Sequence, residues 1–505
     1  MSLRNVLLDA LSKLPGERTF HIHVLVSAPR RYGLYPYASV RHRIYVNDIL
    51  ILLAEQPPNE PVSRVFVSGI HAAVYTIPST ASAILYVSKV DGTGQGASPS
   101  PTATLIRALI SFYVDPTTRP VPATHLWVHL FARAQNQYLF PNSSEHPRKR
   151  VLTDVQLCMW WKRIFSDVAR NVGDKLQSVK LHYTLPGYDQ LEARQALGGI
   201  SVANPPRDAA HWNYGHPYSQ TDVPLPYISR GGSSSRQNLG QFIPSFDDDP
   251  KSRFMDEIAC TNEGDLVKSP PRKRARTNDD ERKDKEESRP AGELGHVSVD
   301  DFWERMSFRQ ECVAGAVTAF FVGVFSSAPP APDAPPVPTH LSAQPGQVSH
   351  HMIKRLVSSL LTGVEFSNSE RAIRGTQILE GSIKGLCDGL ASNGPERPSQ
   401  VATPSDESGR RTPEREAAVA PPPPQTPPRR VVAYSRDDDV TPNPFPEAEP
   451  VTSLETYHSH IYGSVLARNS LIGLKDGRTG AEAGLDTARP AEVTILPVRR
   501  KPKKR

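Results

Sequence analysis

Cysteine is scarce. Cys158, Cys260, Cys312 and Cys387 stand far apart, with no CxxC pair and no zinc-ligand spacing. That excludes a disulfide framework and a zinc module, and leaves buried small hydrophobes as the ordinary reading of these thiols. No HExxH occurs, and His350-His351 follows a Pro-rich stretch, so nothing points to a metal-dependent enzyme. Long apolar runs are missing too: the run 313–325 is too short to span a bilayer. No secretory signal is visible; the stretch 3–11 is amphipathic at helical spacing and carries an acid, which reads as a packed helix. There is no internal repeat. The basic runs hold no interleaved aromatics, and no helix-turn-helix pattern accompanies them, which argues against a sequence-specific nucleic-acid binder.

Proline and charge are abundant. The chain holds 49 prolines in 505 residues, with 38% apolar residues and a net charge of +6. Long Pro-rich and charged stretches cannot bury enough apolar surface to offset chain entropy. The remainder suffices for one core of roughly 300 residues. The expected organisation is a single domain over 1–390, interrupted by a disordered insertion at 262–295 and a Pro-rich linker at 326–347. A mostly disordered tail is expected over 391–505. The basic runs 271–276 and 499–505 read as nuclear-localisation or interaction segments and point to the nucleus.

Periodicity supplies the elements. Alternating apolar stretches predict strands at 20–26, 63–68, 72–77, 84–87 and 126–132. Helical spacing predicts helices at 102–114, from Thr153 or Asp154 through Val168, from Ser298 through Ala316, and at about 349–362 and 368–390. Ser298 with Asp301 makes a capping pattern ahead of Phe302, Trp303 and Met306. The whole reads as an α+β fold.

Between the strand at 84–87 and the helix at 102–114 lies Gly92-Thr93-Gly94-Gln95-Gly96. A dinucleotide-binding turn is one reading, but Pro99 and Pro101 separate the glycines from the helix and no acid ends a second strand. A mobile surface loop is the plain alternative. A third reading lies between them. Glycines let backbone amides approach a pyrophosphate such as that of CoA, with Arg148-Lys149-Arg150 as countercharge. The same basic run is equally a solvated surface.

Four motifs in one order carry more information. They are Tyr86-Val87-Ser88-Lys89-Val90-Asp91; Gln137-Tyr138-Leu139-Phe140-Pro141-Asn142-Ser143 followed by Trp160-Trp161; Phe246-Asp247-Asp248-Asp249-Pro250-Lys251-Ser252-Arg253-Phe254; and Phe302-Trp303-Glu304-Arg305-Met306 with Arg309-Gln310-Glu311. Over roughly 60–260 and 298–390 the chain resembles the fungal histone H3 lysine acetyltransferases of the "regulator of Ty transposition" family. The resemblance implies a fold similar to the CREB-binding-protein acetyltransferase domain, a central mixed sheet wrapped by helices. It implies acetyl-CoA as donor, no metal, and histone H3–H4 as substrate, with a core-domain lysine of H3 first and tail lysines second. It also implies histone chaperones of the nucleosome-assembly and anti-silencing-function types as partners, a role in nucleosome assembly, DNA replication or repair, and no membrane. Val493-Thr494-Ile495-Leu496 and the basic residues after it resemble the family's basic C-terminus, which contacts histone–chaperone complexes.

Carried over by position, the resemblance assigns the donor to Val90, Asp91, Gly92, Ala97, Ser98, Pro99, Ser100, Pro101, Phe131, Gln135, Arg150, Val151, Leu152 and Trp160. It assigns catalysis to Asp249, with Asp248 beside it, and an aromatic passage for the lysine stem to Trp161 and Tyr138. Lys251 matches a lysine on which the family acetylates itself. Ala134 stands where the family often has proline, and Gln135 where a smaller residue is usual. Both changes are expected to alter donor affinity.

The chemistry asks for such residues. A lysine ammonium has a free pKa of about 10.4 and must lose its proton before the amine attacks a thioester. A positioned carboxylate accepts that proton directly or through water. Asp247-Asp248-Asp249 offers carboxylates in a row, whose like charges raise one another's pKa; Asp before Pro is equally a turn-former. A Trp pair on a helix is ordinarily core. Adjacent helical residues point about 100° apart, so Trp160 and Trp161 can face donor and lysine separately. A catalytically weak histone- or chaperone-binding adaptor would carry the same motifs. Ser269, before Pro270 and beside a basic run, is a candidate phosphosite.

Overall fold

The computed structural model describes residues 2–38, 42–57, 63–198, 210–218, 223–227, 239–260, 292–313, 316–328, 344–389 and 454–470. Ser269, both basic runs, the segment 493–496 and most of the expected insertion and linker lie outside the described residues.

The chain opens with α1 (Leu3–Ser12), whose Leu3, Leu7 and Leu11 recur at helical spacing and are buried. An antiparallel run follows: β1 (Gly16–Val26), β2 (Arg30–Arg31), β3 (Tyr45–Gln56), β4 (Val65–Ile77) and β5 (Ser82–Gly92). From β5 the chain crosses through α2 (Thr102–Val114) to β6 (His125–Ala132), which is parallel to β5. Then come α3 (Asp154–Val172), β7 (Ser178–Thr184), α4 (Gln190–Leu197), β8 (Trp212–Tyr214), α5 (Pro250–Cys260), α6 (Val299–Met306), α7 (Gln310–Val313), β9 (Ala319–Ser326), α8 (His350–Thr362), α9 (Ser369–Gly389) and, after a helical segment at 454–461, β10 (Tyr462–Asn469). One mixed sheet results, in the order β10-β1-β3-β4-β5-β6-β9-β7-β8, with β2 beside β3. The fold is α+β, as expected.

Both faces of the sheet are covered. On β6, Leu126, Val128 and Leu130 point into a core with α1, α2 and α3, while Trp127 points into a second core with Phe246, Phe254, Phe302 and Trp303 from the α5–α6 side. Double coverage explains why the strands read as near-continuous apolar runs. Helix starts are set locally. Thr153 and Gln156 make a reciprocal capping box for α3, as Ser298 and Asp301 do for α6.

Several expectations need correction. The strands expected at 63–68 and 72–77 are one strand, β4, with an irregularity against β5 at His71/Ala72. Nothing was expected for β3. The helix expected through Ala316 breaks after Met306 and resumes only over Gln310–Val313, and the apolar run 313–325 supplies much of the central strand β9, every residue of which is buried. Periodicity fails for β3 and β9 because a strand buried on both faces has no polar alternation. The tail expected beyond 391 contains 454–469, which returns to the sheet and pairs with β1. Arg4 donates to the carbonyls of His458 (2.7 Å) and Tyr462 (2.8 Å), and Asn469 donates to those of Ser12 (2.7 Å) and Leu14 (2.8 Å). Among the described residues no helix is long and apolar enough to cross a membrane.

Candidate active site

Because β5 and β6 are parallel, Gly92 and Ala132 leave the sheet at the same end. The carboxyl ends of such strands are where connecting loops leave a crevice. β9 starts at that end, with Ala319 opposite Ala132. So does α3, whose Asp154 carboxylate accepts the Val317 amide.

Asp91, next to last in β5, is buried. Its Oδ2 accepts the amides of Tyr138 (2.8 Å), Leu139 (2.9 Å) and Phe140 (3.2 Å); its Oδ1 accepts the Gly92 amide (2.8 Å) and Lys149 Nζ (2.9 Å). Lys149 also donates to Ser143 Oγ at 2.7 Å. Both carboxylate oxygens are thus occupied by protein donors, so any contact of Asp91 with a donor molecule falls to its backbone. The turn it fixes carries Tyr138, whose hydroxyl donates to the Arg133 carbonyl (2.6 Å) and accepts the Gln135 amide (3.1 Å). Burial pushes this phenol up to about 12, so it stays protonated at neutral pH.

The Gly-rich loop meets the basic run directly. Gly94 has φ +75°, and a Cβ there would lie 2.5 Å from Lys149 Cα, so only glycine fits. This contact sets 92–96 against 148–150. Ala97, Ser98, Ser100, Gln135, Arg150, Val151 and Leu152 are exposed around it; Val90, Gly92, Pro99, Phe131 and Trp160 are half-buried and Pro101 is buried. Pro101 precedes α2 with no side-chain cap, which leaves the positive end of the helix dipole beside the loop. Phe131 stacks on Phe320 of β9 with centroids 4.6 Å apart.

The acidic triplet diverges. Asp249 is 0% exposed; its Oδ1 accepts the Lys251 amide at 2.9 Å and its Oδ2 pairs with Lys251 Nζ. Lys251 Nζ also lies 4.5 Å from the centroid of the Phe320 ring. Phe246 stacks on Tyr86 of β5 at 4.1 Å and so holds the triplet against the sheet. Asp248 turns outward to Lys89 and accepts Ser88 Oγ at 3.2 Å, and Asp247 accepts the Tyr32 hydroxyl at 2.6 Å. Mutual elevation by like charge is not what happens at Asp248. Burial pushes its carboxyl up, but the hydrogen bond and charge of Lys89, with Ser88, outweigh this and leave it lowered. His129 of β6 is held neutral, well below the usual imidazole range, by burial and then by the Lys251 charge.

Trp160 and Trp161 have centroids 4.7 Å apart and planes at 77°. Trp161 is buried in the α2–α3 core, while Asp249 and Lys251 belong to the other face. The two faces meet at the strand ends, where Tyr138 and the loops also gather. Lys89, Lys149, His129 and the Tyr86–Phe246 stack gave no separate signal in the sequence. Lys89 lay inside a quoted motif and Lys149 inside a basic run, but neither pairing is local. Among the described residues no cluster of His, Cys, Asp and Glu is placed to hold a metal ion.

Comparison with known proteins gives the family. Residues 117–380 match the model of the histone acetyltransferase KAT11-type domain. The chain is 32% identical over 288 residues to histone acetyltransferase rtt109 of Aspergillus flavus, covering 51% of this chain and 44% of that protein. It is 25% identical over 258 residues to the rtt109 of Schizosaccharomyces pombe, covering 51% and 56% respectively. The chain thus spans about half the length of the curated relatives it matches. The crystal structure of Rtt109 from Aspergillus fumigatus superposes with a TM-score of 0.56 at 26% identity, covering 75% of this chain and 96% of that one. With more than half of its length matched, the chain belongs to the KAT11-type histone acetyltransferase family, and within it to the fungal Rtt109 type.

Proposed function

We propose that the protein transfers the acetyl group of acetyl-CoA to lysine side chains of histone H3, in the nucleus. H3–H4 is presented by histone chaperones of the nucleosome-assembly and anti-silencing-function types, and the reaction serves nucleosome assembly in DNA replication or repair. The observation that carries the reading is the buried Asp249–Lys251 pair near the sheet end that also gathers the Gly-rich loop and Tyr138.

In this reading acetyl-CoA lies along Val90, Gly92, the exposed stretch 97–101 and the segment 150–152. Arg150 and the open end of α2 face its phosphates, and Phe131, Gln135 and Trp160 line the acyl end. The target lysine enters between Tyr138 and Trp161, whose rings attract the ammonium and exclude water from the thioester. Asp249 accepts the ammonium proton, directly or through one water. The free amine attacks the thioester carbonyl, and the CoA sulfur leaves as the thiol after taking up a proton.

Lys251 bears on the same step. As an ammonium it holds Asp249 Oδ2 and neutralises it. Acetylated, it would carry no charge, leave that oxygen free and spare the desolvation of a buried cation. We infer that Lys251 is acetylated in the active protein; mass spectrometry of active enzyme lacking that acetyl group would overturn this. The function itself is tested by transfer from labelled acetyl-CoA to H3–H4, with and without chaperone, in wild type and Asp249→Asn. Chaperone-stimulated transfer that collapses in the variant is the expected result. A folded chain that binds H3–H4 but transfers nothing with any chaperone would be an adaptor.

A further inference from the structure

We propose that Arg18 and Glu55, on β1 and β3, are positioning residues for acetyl-CoA, acting through the backbone of the 97–99 loop. This rests on the assignment of that loop to the donor.

The loop has a problem that its own sequence cannot solve. Pro99 and Pro101 have no amide hydrogen, and the stretch between β5 and α2 leaves the ladder at Gly92. Its carbonyls therefore need donors from elsewhere. Arg18 supplies them. Its Nη1 donates to the Pro99 carbonyl at 2.8 Å and its Nη2 to that of Ala97 at 3.1 Å. The same guanidinium grips Glu55 with two bonds of 2.8 Å, and Glu55 Oε2 accepts the Ala97 amide at 3.2 Å. Only 4% of the Arg18 side chain and 8% of that of Glu55 are exposed. Gly96 completes the fit, since a Cβ there would come within 2.6 Å of Glu55 Oε2 and 2.9 Å of Val67 Cγ1.

A buried ion pair is a poor way to gain stability alone, because desolvation offsets most of the Coulomb attraction and apolar residues would do as well. What the pair supplies is geometry. A planar fork bonded at once to a carboxylate and two carbonyls fixes where Ala97, Ser98 and Pro99 stand. Ala97 and Ser98 are the exposed part of the loop, the part that meets solvent and donor. The pair lies under the loop and touches none of the reacting groups named above. Its effect should therefore fall on donor binding and leave the chemical step alone.

The test is steady-state kinetics, with calorimetric titration of acetyl-CoA, on the full chain carrying Glu55→Gln or Arg18→Lys. Leu7→Ala, a core variant in α1, controls for lost stability. Glu55→Gln keeps the shape of the side chain, so it remains informative should Arg18→Lys fail to fold. Both variants should raise KM and Kd for acetyl-CoA by about tenfold, with kcat at saturating donor within about threefold and KM for H3–H4 unchanged. Leu7→Ala should leave the donor KM where it is. An unchanged donor KM in folded Glu55→Gln would overturn the proposal, as would an equal rise in Leu7→Ala. A wild-type chain that binds no acetyl-CoA would overturn the proposed function first and this inference with it.

Discussion

Two buried aspartates near the same end of the sheet are held in two different ways. Asp91 receives four backbone amides and one lysine ammonium. Asp249 receives, among the described residues, only the amide and ammonium of Lys251 two positions on. A carboxylate with every lone pair engaged is a fixed part of the framework, because protonating or moving it would break several charge-assisted bonds at once. A carboxylate held by one removable charge is available for proton transfer once that charge is gone. The same residue type, buried to a similar depth, is locked by many donors in one place and by a single lysine in the other, which is the difference the proposed proton transfer relies on.

The largest expected effect separates the two directly. Asp249→Asn should lower kcat for acetyl transfer by about 10²–10⁴-fold, checked by single-turnover transfer on protein shown to be folded. A variant that kept wild-type turnover would erase the distinction. Asp91→Ala should do the reverse in kind. It leaves the buried Lys149 ammonium without a countercharge and frees the turn at Tyr138, so urea unfolding should show a loss of about 3–5 kcal/mol. Unfolding within experimental error of wild type would mean that the turn is held some other way.

Acid titration sets a third buried group beside the two aspartates. His23, bonded to the Tyr457 hydroxyl at 2.8 Å, is depressed to about 3 by burial and then by the charges of His21 and Arg64. The unfolded chain binds this proton near pH 6.5, so it holds more protons than the folded chain between there and about 3. Stability at this site should therefore be intact above pH 6.5 and fall on acidification by about 1.4 kcal/mol per pH unit. His23→Phe should flatten that slope in pH-dependent melts, and an unchanged slope would locate the acid sensitivity elsewhere.

The smallest effect is expected at Asp248. Its carboxyl is engaged by Lys89 and Ser88 at a half-exposed position, so Asp248→Asn should cost no more than about threefold in kcat/KM. Its lowered pKa means that the pairing is present above the ordinary carboxylate range and is lost as pH falls through the depressed value. A loss as large as that of Asp249→Asn would make the two carboxylates one catalytic unit.

The sequence by itself determined what local chemistry decides. Helix α2 came out at its full length, and the caps at Thr153 and Ser298 follow from hydroxyl and acceptor spacing within one turn. The order of the four motifs was enough to identify the family, because spacing along the chain is itself sequence information. Tertiary structure decided everything that needs a partner from far away. It made β3 and β9 strands by covering them on both faces, and it drew 454–469 back to β1 out of a Pro-rich tail. It also drew Asp247 to Tyr32 and Asp248 to Lys89, while Asp249 kept a donor only two positions on, Lys251. The physical reason is the same in each case. Burial and hydrogen-bond satisfaction are sums over neighbours in space, and neither is written in the residues on either side.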